Sequence, residues 1–405
     1  MRTILKYKID KNSKMLLGIL ATLMALTSLS TDAYLPAMPK MQVELHGNIE
    51  LTITGFLIGF AIAQLFWGPI SDRFGRLIPL ILGILIFILG SIGCALSNNI
   101  TQILFWRMVQ AIGACTGPML SRAMIRDLYS SNKAAEMLST LTIIMAIAPI
   151  VGPVLGGQLL KIWSWHSIFW TLVFIGFVLF IAIRFMPETL PAKKRTGTSI
   201  ASAFGKYKVL ISHRKFMTYT LSVTFYYVAA YAFITGSPKI YISCFGVDPQ
   251  YYGWLFAINI VGVMTLSFIN RKLVRRFQLN KLLRTSTAIA MLAGLVLVVS
   301  SKFNTIGILG IIIPVFFFFS MNGIIAATST AAALEDVPEM VGAASALLGS
   351  LQYGSGILSS LLLAIFSDGT PWTMCWIIAV FSTASTLMVN LKPIQSRILA
   401  IKFVN

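Results

Sequence analysis

Twelve apolar segments, each about as long as a membrane-spanning helix, divide this chain of 405 residues. A helix needs about 20 mostly apolar residues to cross the hydrocarbon core of a bilayer. No alternating apolar and polar pattern of the kind found in membrane barrels recurs. The sequence therefore predicts an all-α integral membrane protein with twelve transmembrane helices, at 15–35, 50–69, 77–97, 100–125, 136–160, 164–186, 216–237, 250–270, 281–301, 305–330, 341–366 and 372–391.

The overall composition excludes a soluble fold. Hydrophobic residues make up 57% of the chain and charged residues 11%, whereas soluble domains carry roughly 25% charged residues. The first apolar run follows a basic stretch, as in a secretory signal, but no small-residue cleavage site follows it, and we expect a retained first span. The four cysteines and three histidines show neither metal spacing nor a disulfide framework. We therefore expect no metal centre and no enzymatic site.

The net charge of +19 is distributed by membrane side. In a soluble protein it would suggest nucleic acid. Here 27 of the 32 Lys and Arg residues fall in alternate inter-span segments and at the two ends, and only four fall on the other side. Basic residues are retained on the cytoplasmic side of membrane proteins. The sequence predicts an inner-membrane protein with both termini in the cytoplasm and no nucleic-acid partner.

The longest polar segment, 187–215, follows the sixth span and precedes six more. It predicts an N-terminal six-helix bundle at 1–186, a cytoplasmic linker at 187–215 and a C-terminal six-helix bundle at 216–405. A basic segment after the eighth span, Asn270 to Arg276, matches in position a charged segment after the second span, 68–76. Parallel duplicated halves around a central cavity are a known transporter plan.

Asp32 and Arg107 are the charged residues on which the functional interpretation of the predicted spans depends. Asp32 is late in the first span and Arg107 is in the fourth, both in the outward half of the bilayer. Such groups are costly in lipid and normally face a protein interior or a wet cavity. We expect the two to neutralise each other and Asp32 to exchange a proton. The alternatives are that Asp32 only ends its helix at the interface and that Arg107 extends to the membrane surface.

The charged segment Gly68-Pro-Ile-Ser-Asp-Arg-Phe-Gly-Arg76 is interpreted as a tight loop at the cytoplasmic face. Asp72 could cap the N-terminus of a helix from the other half, forming a conformational latch. Ordinary solvated charge would account for Arg73 and Arg76, but not for the ordered spacing that also includes Gly68 and Gly75.

Glycines and prolines predict close helix packing and a hinge in the fifth span. Small residues four apart let helix backbones approach each other, and proline allows a bend. The predicted hinge and packing residues are Gly113 in the fourth span and Pro149, Gly152, Pro153, Gly156 and Gly157 in the fifth.

Aromatic and amide side chains in several spans could line a substrate cavity, although such residues often serve packing alone. Aromatic rings suit flat or cationic compounds. The candidates are Tyr34, Gln110, Tyr227, Tyr231 and Asn322.

These motifs, in this order, resemble the drug:proton antiporter branch of the major facilitator superfamily, and within it the bicyclomycin-resistance group of multidrug exporters. The residues that carry the resemblance are 32–39, 68–76, 107–113, 121–129 and 149–157. Some relatives have a second acid earlier in the first span, where Met24 and Ser28 stand here.

The resemblance implies alternating access and export of small, mostly apolar drugs in exchange for protons, with no cofactor. It implies a proton-site role for Asp32, a charge-partner or relay role for Arg107, and a latch role for Asp72 and Arg73. We expect a monomer whose partners are a small-molecule substrate, protons and the lipid bilayer. The alternatives are a metabolite or nutrient transporter of the same fold and, further off, a membrane protein that does not transport.

Overall fold

Helices account for nearly all of the structure, a computed structural model that describes residues 14–129, 131–195, 200–303 and 306–390. No β-strand occurs among those residues. The helices are α1 (Lys14–Asp32), α2 (Met38–Leu45), α3 (Leu51–Phe74), α4 (Leu77–Ala95), α5 (Ile100–Ala114), α6 (Thr116–Leu128), α7 (Ser131–Ile162), α8 (His166–Ile183), α9 (Ile200–Ser212), α10 (Arg214–Pro238), α11 (Pro249–Leu273), α12 (Leu279–Phe303), α13 (Leu309–Ser320), α14 (Asn322–Glu335), α15 (Val341–Phe366) and α16 (Trp372–Asn390).

Ten helical segments in the described ranges are long and apolar enough to cross a membrane. This confirms the prediction of an all-α integral membrane protein. The predicted spans at 100–125 and 216–237 coincide with α5–α6 and with α10, which are helical but are not among the ten. The count of twelve transmembrane helices therefore stays a prediction.

The helices pack as two groups. In the first group α1 contacts α6 and α7, α3 contacts α5, and α4 contacts α5 and α8. In the second, α10 contacts α14, α15 and α16, and α12 contacts α13 and α16. The main contacts between the groups are α3 with α15 and α7 with α11. The predicted bundle boundaries themselves remain predictions, and both chain ends lie outside the described residues.

The fourth span of each predicted half consists of two helices. The first is interrupted at Cys115, between α5 and α6, and the second at Met321, between α13 and α14. The interruptions therefore fall in corresponding spans, as expected for a duplicated fold.

The predicted loop at 68–76 is wrong in extent. Helix α3 continues through Gly68 and Pro69 to Phe74, and only Gly75 and Arg76 link it to α4. The helix ends at Gly75 because its φ of 92° is not helical. Glycine suits this position because residues with a side chain disfavour that conformation. The linker segment is also not wholly irregular, because α9 lies within it. We call the end of the molecule that carries Gly75, Arg76 and α9 the basic face.

Candidate functional site

Asp32 is the last residue of α1 and is enclosed by protein, with 6% of its surface exposed. The Thr31 hydroxyl donates a hydrogen bond of 2.9 Å to Asp32 Oδ1. Gly152 of α7 packs against it, since a Cβ built on that glycine would lie 3.2 Å from the Asp32 Cβ. Three tyrosines of the second half lie within electrostatic range of the carboxylate: Tyr231, Tyr252 and Tyr353. Asp32 thus lies at the junction of the two halves.

Arg107 is completely buried in the first half. Its Nη1 donates to the Ser30 carbonyl at 2.9 Å and to Gln110 Oε1 at 2.5 Å. Its guanidinium carbon lies 4.4 Å from the Tyr34 ring centroid and 4.5 Å from the Phe56 ring centroid. These distances are those of cation–π contacts, so Arg107 does not extend to the membrane surface.

Asp32 and Arg107 do not form the predicted ion pair among the described residues, although Arg107 is near enough to act on Asp32 electrostatically. Ser30 carries one of the last four carbonyl groups of α1, which lack partners within the helix and form the negative end of its dipole. This carbonyl and the aromatic faces stabilise the guanidinium charge, while the buried Nε and Nη2 atoms of Arg107 have no hydrogen-bond partner among the described residues. Among the described residues, no cation forms an ion pair with the Asp32 carboxylate.

The side chain of Gln110 extends the Arg107 site toward α4. Gln110 Nε2 donates to Ser91 Oγ at 2.7 Å, and Ser91 Oγ donates to the Phe87 carbonyl at 2.8 Å. One turn further along α5, a Cβ on Gly113 would overlap the backbone of Gly83 and Phe87. The Arg107 site therefore depends on close packing between α5 and α4.

Charged side chains at the basic face converge on Arg76. Its Nη1 lies 2.6 Å from Asp72 Oδ1 and its Nε lies 2.8 Å from Asp127 Oδ2. Burial alone would lower the pKa of Arg76, but the hydrogen bonds that it donates to Asp127 and Asp72, together with their negative charges, outweigh burial and raise that pKa. Arg76 therefore stays charged at physiological pH. The latch prediction had Asp72 capping a helix of the other half. In this structure Asp72 is instead bound within its own half.

At the basic face, the Glu188 carboxylate lies at the N-terminus of α4. Its Oε1 accepts from the backbone N–H of Arg76 at 2.9 Å and its Oε2 accepts from that of Leu77 at 3.2 Å, at the start of α4. A Cβ on Gly75 would lie 2.5 Å from Glu188 Oε2. Sequence reasoning missed Glu188 and Asp127. The available signal was an acid directly after the sixth span and another at the end of the fourth, both facing a glycine-containing turn.

A cavity of about 470 Å³ lies between the halves on the side of the basic face. One wall follows every fourth residue of α3 and another follows α6. The rings of Phe60 and Tyr353, with centroids 4.2 Å apart, lie at its inner end. Tyr207 of α9 also lines it and donates to the Leu65 carbonyl at 3.2 Å. The volume is in the range of small-molecule sites.

None of the five substrate-cavity candidates lines this cavity. Tyr34 hydrogen bonds to Thr52 and, with Gln110, belongs to the Arg107 site. Tyr227 donates to Asn322 Oδ1 at 3.1 Å. Tyr231 is buried against Gly356 of α15 and lies near Asp32.

Beyond the inner end of the cavity the halves are in contact. Thr54 and Ser360 hydroxyls lie 2.6 Å apart between α3 and α15. A Cβ on Gly156 would overlap the Ala33 carbonyl of the first half, and one on Gly157 would meet Pro249 of α11. Helix α7, with Pro149 and Pro153 inside it, therefore lies between the residue after Asp32 and the second half.

Spanning helices in two groups, a cavity between them and buried charges beside it define a membrane transporter. The chain belongs to the Major Facilitator Superfamily, whose family profile matches residues 20–360. It is 36% identical over 357 residues to "Uncharacterized MFS-type transporter YdgK" of Bacillus subtilis, covering 86% of this chain and 88% of that protein.

A second relative confirms the resemblance seen in the sequence motifs. The chain is 30% identical over 386 residues to "Bicyclomycin resistance protein homolog" of Haemophilus influenzae, covering 93% of this chain and 96% of that protein. Among solved structures, it is similar to the partially occluded inward-open xylose transporter XylE of E. coli, with a TM-score of 0.74, 14% identity and coverage of 94% and 97% of the two chains. At that identity the likeness concerns the fold alone.

Proposed function

We propose that this protein is a proton-coupled antiporter that exports small, mostly apolar or weakly polar toxic compounds by alternating access. Export of drugs is supported by the relative that carries a resistance name. The cavity beside the basic face supports uptake of the compound from the cytoplasm, since basic loops are retained on that side.

The observation that carries proton coupling is the setting of Asp32. Asp32 is 6% exposed, and among the described residues no cation forms an ion pair with it. Its charge therefore carries a desolvation cost that falls when a change of conformation admits water or a cation. Asp32 lies at the junction of the halves, so a change of conformation can bring the tyrosines of the second half closer to it or move them away. The free energy of holding a negative charge on Asp32 therefore differs between the two conformations. Protonation therefore shifts the balance between inward- and outward-facing states.

The Arg107 site supports this scheme by keeping its own charge fixed. Its bonds to Ser30 and Gln110 and its aromatic contacts do not involve the carboxylate. Asp32 can therefore change its charge while Arg107 remains bound at the end of α1. We infer that protonation acts by removing a charge from the junction, rather than by breaking an ion pair.

The test is transport by Asp32→Asn in proteoliposomes. We expect loss of uphill transport driven by a proton gradient and of substrate-induced proton release, with substrate exchange at equal concentrations retained. The exchange assay shows that the variant folds and binds. The matched control is Asp368→Asn, which alters an exposed carboxylate that bonds only within its own loop. Unchanged uphill transport by Asp32→Asn would refute the coupling role.

The direction of transport separates export from nutrient uptake. Cells that express the protein should retain less of a toxic dye than cells without it, and an uncoupler should abolish the difference because it removes the proton gradient. Greater retention in the expressing cells would favour a metabolite or nutrient importer of the same fold.

A further inference from the structure

The cavity beside the basic face contains more positive than negative charge. The ionisable residues with acidic or basic side chains that line it are Asp72, Arg76, Arg122, Arg126, Lys206 and Glu339. Arg76 is already bound by Asp72 and by Asp127. In the ranges that the structure describes, no carboxylate lies within 4.0 Å of Arg122, Arg126 or Lys206. These three cations of the cavity therefore have no ion-pair partner among the described residues.

Arg122 lies deeper in the protein than a basic residue needs to lie to mark the cytoplasmic side of the membrane. It is on α6, six residues before the last helical residue Leu128, which is about 9 Å at the rise of a helix. At that depth it lines the cavity with Gln64 and is near enough to Tyr353 to act on it electrostatically. Arg126 is one turn nearer the basic face on the same side of the helix. The two guanidinium groups are thus arranged along the cavity, with Arg126 nearer its mouth and Arg122 further inside.

Several apolar side chains line the cavity together with Arg122. Phe60, Pro118, Met119 and Tyr353 contribute rings and a thioether, and α15 contributes small residues. The acids that line the cavity, Asp72 and Glu339, belong to its basic-face end, and Asp72 is bound to Arg76. Among the described lining residues, a lipophilic cation would meet no carboxylate in the inner part, whereas an apolar anion would meet a guanidinium.

We propose that this cavity selects amphiphilic anions, compounds with an apolar body and a carboxylate or sulfonate group, and that Arg122 binds the anionic group. Arg126 and Lys206 raise the local concentration of such compounds at the mouth. A guanidinium suits the role because its planar set of donors matches a carboxylate in two parallel hydrogen bonds. The inference rests on the proposed export function, whose substrate class it names.

The test is equilibrium binding to the full-length protein in nanodiscs of zwitterionic lipid. The probes are dansylglycine, its neutral carboxamide and the cationic dansyl-ethylenediamine, which share one fluorophore. We expect the wild type to bind dansylglycine most tightly. Arg122→Gln should weaken dansylglycine binding roughly ten- to a hundredfold, the range for a lost hydrogen bond to a charged group. The affinity for the neutral carboxamide should stay unchanged.

Three further variants sharpen the result. Arg122→Lys, which keeps the charge but loses the planar donors, should retain part of the affinity. Arg122→Glu should reverse the preference toward dansyl-ethylenediamine. Arg214→Gln is the matched control, because Arg214 begins α10 at the basic face and does not line the cavity. Equal binding of the three probes to the wild type, or an equal loss with Arg214→Gln, would overturn the proposal.

A second lipid composition distinguishes a soluble compound from a lipid head group, which offers the same anionic chemistry. We expect dansylglycine to bind equally well in nanodiscs that contain phosphatidylglycerol. Displacement of dansylglycine by that lipid in the wild type would assign the site to lipid and overturn the proposal. These assays need no proton gradient, so anion binding without coupled transport would contradict only the proposed function, whereas coupled export that favours cations would contradict only this inference.

Discussion

The ring of Phe60 lies 4.2 Å, centroid to centroid, from the ring of Tyr353, and this contact joins α3 of the first half to α15 of the second. It closes the inner end of the cavity. Tyr353 is within electrostatic range both of Arg122, which lines the cavity, and of Asp32, beyond it. The ring pair therefore lies between the cavity and the proposed proton site.

This contact should be energetically coupled. Aromatic pairs contribute about 0.5–1.5 kcal/mol beyond their buried area, so a double-mutant cycle of Phe60→Leu and Tyr353→Leu should give an interaction free energy in that range. The measurement is the free energy of unfolding in mixed micelles. Additivity within about 0.3 kcal/mol would mean that the rings are separated in the protein in solution.

Replacing Arg107 by lysine should destabilise the first half although the charge is kept. Lysine cannot donate to Ser30 and Gln110 in the same geometry and stacks less well on Tyr34 and Phe56. We expect the free energy of unfolding to fall by about 1–3 kcal/mol. Arg184→Lys is the matched control, because Arg184 is exposed and contacts the Phe180 ring; its effect should stay within about 0.5 kcal/mol. Equal effects of the two changes would show that the Arg107 contacts do not stabilise the fold.

Gly156→Ala should weaken the packing of α7 on α1. The added methyl group would overlap the Ala33 carbonyl, and backbone atoms cannot move aside as a flexible side chain can. Overpacking of this kind costs about 1–3 kcal/mol. The control is Gly18→Ala in α1, where no atom lies within 4 Å of the new methyl group; it should leave stability equal or raise it by up to about 1 kcal/mol. The measurement is the thermal unfolding temperature of both variants. An unchanged unfolding temperature in Gly156→Ala would mean that α7 lies further from α1.

Glu188→Ala should destabilise the start of α4. It removes the acceptor for the backbone N–H groups of Arg76 and Leu77, and loss of such a helix cap costs about 0.5–2 kcal/mol. Glu136→Ala serves as the control, since the ion pair of Glu136 with Lys133 is exposed and worth at most about 1 kcal/mol. Hydrogen exchange at the first turn of α4 gives the local readout, and unchanged protection there in Glu188→Ala would exclude the capping role.

The sequence predicted the spans well because every backbone group in lipid must be bonded within its own segment. Helix α15 has the predicted ends, Val341 and Phe366. The error at Gly68 to Phe74 has the same origin. A helix can continue beyond the lipid in polar residues, where hydropathy gives no signal, and its end depends on the backbone conformation at Gly75.

The site was harder to predict because it depends on contacts between distant elements. Asp32 and Arg107 were recognisable as charges within apolar segments, but an ion pair was not needed, since the end of α1 and two rings compensate the arginine. Glu188 and Asp127 are ordinary acids next to polar segments. Only the tertiary fold brings them to Arg76 and Leu77.

Helix α9 has a consequence for the speed of transport. It packs on α3 in the first half and on α10 and α15 in the second, and Tyr207 bonds to the Leu65 carbonyl. In the alternating-access cycle proposed above, narrowing the gap at the basic face would require this helix to slide or detach from one of the halves. Loss of its contacts would then limit the rate of each turnover.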